Sequence, residues 1–95
     1  MRPHKYKPVL RGSHKRAAQV AAKVLTETDN SAIGYGDSGL LHMVAEQLGW
    51  PPESWLTEKR VLDAIDRHHE GVLVKRYFQA RRGHARVFYL PGHES

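Results

Sequence analysis

Apolar residues recur along this chain in three blocks of helical spacing and then give way to strand-like runs. In the first block Ala17, Val20, Ala21, Val24 and Leu25 stand at i, i+3, i+4, i+7 and i+8, one face of a helix. Ser13 is a good amino-terminal cap and the run TETDNS ends the period, so a helix is predicted over 13–28. The second block is Leu41, Val44, Ala45 and Leu48, joined by Leu40; it predicts a helix over 39–48, opened after Asp37-Ser38 and stopped by Gly49. In the third block Val61, Leu62, Ala64 and Ile65 face inward on a helix over 58–70, capped by Thr57 and closed at Gly71, with His68 and His69 at the stripe's edges. Between the second and third helices, Pro51 and Pro52 lack amide donors and restrict the residues before them, so the chain must leave the helix there. Trp55 and Leu56 are expected to anchor this connection to the core.

Beyond Gly71 the residues 72–79 and 85–90 are rich in β-branched and aromatic types, which suit strands. The intervening residues 80–84, Ala-Arg-Arg-Gly-His, have the length and glycine of a hairpin loop. A bulge at Gly83 would change which side chains face inward. Alternating bulk predicts a short extended segment near 32–36.

The chain has 95 residues, 40% of them hydrophobic, which fits one domain with a small core. It is read as a basic arm over 1–12, a folded domain over 13–91 and a short tail over 92–95. The absence of cysteine excludes disulfides, thiolate zinc sites, iron–sulfur clusters and a cysteine nucleophile. No apolar run has bilayer-spanning length and the amino terminus has no hydrophobic signal core, so a cytoplasmic protein without membrane contact is expected.

Fifteen Lys and Arg against ten Asp and Glu give a net charge of +5, and their placement is uneven. Residues 1–25 and 73–90 carry bases and no acid, whereas residues 26–56 carry acids and no Lys or Arg. Two basic ends around an acidic middle suggest a polyanionic partner.

The succession of helix, short extended segment, helix, turn, helix and basic-tipped hairpin over residues 13–91 resembles the winged helix-turn-helix superfamily. The resemblance implies an α+β fold in which the third helix, 58–70, enters the major groove of double-stranded DNA. A wing over 72–90 would touch phosphates or the minor groove. It also implies a small transcriptional regulator or DNA-architectural factor, of a size suited to a phage or mobile element and nucleoid-associated in a bacterium. A homodimer is a further expectation, because one such domain reads only a half-site.

The candidate contacts fall in three groups. Lys75, Arg76, Arg81, Arg82, His84 and Arg86 lie on the wing, interleaved with Tyr77, Phe78, Phe88 and Tyr89. Arginines at such a tip suit phosphates and narrow minor grooves, although charge also keeps an edge strand from pairing. Arg11, Lys15 and Arg16 continue the basic arm begun by Arg2, Lys5 and Lys7, set against the plainer reading of a solvated tail. On the third helix, Arg60 and Arg67 are the expected base or backbone contacts, with Lys59 beside them. The same arc carries Asp63, Asp66 and Glu70, so Lys59–Asp63 and Asp63–Arg67 are expected to pair at i,i+4.

Other chemistry is weakly represented. His68 and His69 diverge by about 100° on a helix, so they do not chelate one ion, and no metal or cofactor is expected. Gly34-Tyr35-Gly36 is too short for a phosphate-binding loop, and the carboxylates do not converge, so the chain is read as a non-enzyme. The alternative is a winged helix interaction module that regulates a protein or protein–nucleic acid complex, with Met43, Tyr35, Trp50 and Trp55 supplying either core or a partner patch. A basic aromatic hairpin also suits RNA.

Overall fold

Each of the three apolar stripes becomes the buried face of a helix, and the strand-like runs close the core from one side. The computed structural model describes residues 11–50, 55–80 and 83–94. Its elements are α1 (Arg11–Glu27), β1 (Ala32–Gly34), α2 (Ser38–Leu48), α3 (Trp55–His68), β2 (Val74–Ala80) and β3 (Gly83–Tyr89). The fold is α+β: three helices and a small antiparallel sheet in the order β1-β3-β2. Val24 and Leu25 of α1, Leu41 and Val44 of α2, Val61, Leu62 and Ile65 of α3, and Ile33 and Phe88 of the sheet are fully buried together. Burial of each contributes about 1.5–3 kcal/mol.

Two helix ends are built alike. After α2, Gly49 takes φ +81°, its N–H donates to Glu46 O (3.1 Å), and the Trp50 N–H donates to Ala45 O (2.9 Å). The left-handed residue thereby satisfies carbonyls that the helix leaves open. After α1 the same pattern rests on Asp29 at φ +59°, with Asp29 N–H to Thr26 O and Asn30 N–H to Leu25 O. The chain then turns into β1, whose Gly34 sits so close to β3 that a Cβ there would lie 3.0 Å from Arg86 O. Asp37 fixes this corner by accepting the Gly34 N–H at 2.7 Å.

The β2–β3 register runs without interruption from Val74↔Tyr89 to Ala80↔Gly83. Because side chains alternate across a sheet, Lys75, Tyr77, Arg86 and Phe88 share the face toward the helices. Val74, Arg76, Phe78, Val87 and Tyr89 share the opposite face.

Several expected boundaries shift. The first helix begins at Arg11 rather than at Ser13, since Arg11 and Gly12 keep their amide donors and nothing in their covalent geometry stops it. Positions 11–12 of the arm predicted over 1–12 thus belong to α1, and its first ten residues lie outside the described ones. The third helix spans Trp55–His68, and Thr57 is not its cap. Thr57 is only 8% exposed and falls at i, i+4, i+7 with Val61 and Ala64, which makes it part of the buried stripe. The side chains of Trp55 and Leu56 lie outside the described residues. The hairpin connection is Arg81-Arg82, shorter than the predicted 80–84, because pairing continues through Gln79↔His84 and Ala80↔Gly83 and leaves no bulge. At the other end β2 starts at Val74 rather than residue 72, since the Val72 and Leu73 N–H groups both bond to His69 O in a turn with Gly71 at φ +81°.

Candidate nucleic-acid interface

The hairpin is fastened to α3 by charge. From β2, the Lys75 Nζ donates to Asp66 Oδ1 at 2.6 Å; from β3, the Arg86 Nη1 donates to Asp66 Oδ2 at 2.8 Å. The other Arg86 nitrogen donates to Asp63 Oδ1 at 3.2 Å, and the Lys59 Nζ reaches Asp63 Oδ2 at 3.1 Å. Strand alternation explains the meeting, since Lys75 stands opposite buried Phe88 and Arg86 opposite Tyr77. Burial pushes the Asp66 carboxyl up, but the hydrogen bonds and charges of Lys75 and Arg86 outweigh it and hold the group below its ordinary value. Asp63 is lowered in the same way, with burial opposed by Lys59 and Arg86. Lys75 is raised by its bond to Asp66, and Arg86 is raised despite burial by its bonds to Asp66 and Asp63. His69 completes the seam: its Nδ1–H donates to the Asp66 carbonyl (2.7 Å) and its ring lies 5.6 Å from that of Phe88.

A second feature lies on the α1 side of α3. His14, Lys59, Arg60, Asp63, Ala64 and Arg67 line a cavity of about 300 Å³. Arg60 and Arg67 are exposed at its rim, and neither is in an ion pair among the described residues. The predicted Asp63–Arg67 pair does not form, because Asp63 is taken by Arg86 and Lys59. The His14 ring lies 5.0 Å from that of buried Trp50. Lys15 and Arg16, which follow His14 directly on α1, are exposed.

The predicted contacts thus divide rather than form one patch. Arg60 and Arg67 are gathered at the groove, with Lys59 paired to Asp63 at its edge. Lys75 and Arg86 turn inward and are held by carboxylates, while Arg76 is exposed on the opposite face of the sheet. Arg81, Arg82 and the side chains of Arg11 and His84 lie outside the described residues. His14 was not anticipated: it stands three and four residues before buried Ala17 and Ala18, so spacing places it at the head of the apolar stripe but gives no sign of a groove between helices. Of the aromatic and Met positions considered for a partner patch, Trp50 is buried, Met43 packs against the core and Tyr35 is 78% exposed. Among the described residues no cluster of potential metal ligands occurs, and no helix is long and apolar enough to cross a membrane. No protein-family model, curated protein or solved structure matches this chain.

Proposed function

We propose that the chain is a double-stranded-DNA-binding domain of winged helix layout that presents α3 and the groove beside it to the duplex. The observation that carries this reading is the division of charge on α3. Asp63 and Asp66 are occupied by Lys59, Lys75 and Arg86, so these two acids at the centre of the helix are neutralised from within. Arg60 and Arg67 line a cavity and are in no ion pair among the described residues. Such arginines can reach guanine edges or phosphates, and Lys15, exposed on α1 beside His14, adds a further cation, whereas Arg16 lies about 200° around the helix from His14. The element order and the sheet order β1-β3-β2 agree with the layout.

The reading is tested by fluorescence anisotropy with a random-sequence duplex at several salt concentrations. Binding in the micromolar range that weakens steeply with salt is the expected result. The double substitution Arg60→Ala with Arg67→Ala should reduce the slope of log K against log salt by about 2, one for each lost phosphate contact. Absence of duplex binding at about 50 mM salt, where nonspecific association is strongest, would overturn the reading and leave a protein partner as the alternative.

A further inference from the structure

Among the described residues, the strand positions on the face turned away from the helices are mostly apolar or aromatic, and none is an acid. Val74, Phe78, Val87 and Tyr89 lie on it with Ala32, and Arg76 is its one charged member among the described residues. Phe78 is 46% exposed. Phe78 and Tyr89 stand four residues apart in register, yet their ring centroids are 6.4 Å apart, so the rings lean toward each other over the Arg76–Val87 pair. Their planes are inclined at 55°, which prevents a flat group from being sandwiched between them. Beside Tyr89, the Phe78 ring remains open to solvent.

We infer that this face is a stacking platform for unpaired nucleobases of a single-stranded nucleic acid. Size argues against a second copy of the chain as the occupant. Strands about 4.8 Å apart and seven residues long at about 3.4 Å per residue give a face of roughly 300 Å². A stable dimer buries about 800 Å² on each partner. A few unpaired bases fit such an area. Charge argues for the same occupant, since a cation beside the exposed Phe78 ring and the half-buried Tyr89, with no carboxylate on the face among the described residues, suits a polyanion that carries π-faces. A peptide added as a strand would use the open edge of β2 and would have no need of the rings on the face. The platform lies on the other side of the sheet from Asp66 and α3, so it stands or falls independently of duplex binding.

The test uses the full chain and labelled dT12, compared by anisotropy with a twelve-unit abasic strand of equal charge. The protein is expected to prefer dT12 by about 5- to 100-fold, the range that base stacking on aromatic side chains provides. Phe78→Ala should abolish that preference while changing duplex affinity less than about twofold, since it removes a ring and no charge. Phe78→Trp, a larger π-surface, should restore it, which separates stacking from misfolding. The same dependence on Phe78 is expected with rU12, because every base has a π-face. Equal affinity for dT12 and the abasic strand would overturn the inference. So would an unchanged preference in Phe78→Ala, or RNA binding indifferent to that substitution. Sedimentation showing a dimer that Phe78→Ala dissociates would also overturn it, by assigning the face to a second copy.

Discussion

Removing the Asp66 carboxylate by Asp66→Ala would test how firmly the hairpin is held. Asp66 accepts two charge-assisted hydrogen bonds, from Lys75 at 2.6 Å and Arg86 at 2.8 Å. Bonds to charged groups contribute about 1.5–3 kcal/mol each when buried. The lower end applies, because the Lys75 and Arg86 side chains keep 20% and 29% of their surface in solvent. Arg86 also retains Asp63, which softens the loss. The expected destabilisation is then about 2 kcal/mol, against a total of about 5–14 kcal/mol for a domain of this length. Urea denaturation followed by circular dichroism should show the midpoint falling by about 1–2 M with little change in slope. A double-mutant cycle with Lys75→Ala should give a coupling of about 1 kcal/mol. The pH dependence supplies a second check. The folded carboxyl lies below its ordinary value of 3.8, so its stabilisation is complete above that value and is lost as pH falls through the lower folded one. The difference between wild type and variant should be constant near neutrality and close in acid. A loss under about 0.5 kcal/mol, as for an exposed surface pair, would refute the reasoning.

The two left-handed helix ends predict opposite outcomes. Asp29→Gly should stabilise by about 0.5–1 kcal/mol, because glycine takes φ +59° without the Cβ penalty, and the melting temperature should rise by several degrees. Gly49→Ala should destabilise by about 1 kcal/mol in the same thermal assay; a Cβ there meets nothing within 4 Å, so the cost is backbone strain alone.

Burial was legible in the sequence because it follows a period. The stripes of α1, α2 and α3 are the residues that spacing picks out, and Gly49 ends α2 where a left-handed stop was expected. Thr57 was ambiguous, since a threonine ahead of a helical run reads equally as a cap or as a member of the stripe that includes Val61 and Ala64. Charge pairing was less legible because it follows tertiary geometry. Spacing offered Arg67 to Asp63 within one helix, but the structure delivers Arg86 from 23 residues away. An arginine already aimed by strand pairing loses less freedom in forming that contact than a mobile helix side chain. The groove at His14 depends on how α1 lies against α3, which no local pattern encodes.

The fastening at Asp66 also has a mechanical side. Lys75 and Arg86 clamp the hairpin at its base, and beyond Tyr77 the two strands run on to Ala80 and Gly83 as a projecting beam. The free length is about 10 Å at strand rise, so a tilt of about 10° at the clamp carries the Ala80–Gly83 end nearly 2 Å. One carboxylate near the carboxyl end of α3 therefore sets the angle of a lever that ends, among the described residues, at Ala80 and Gly83. Whatever that tip touches is aimed from a residue that need never touch it.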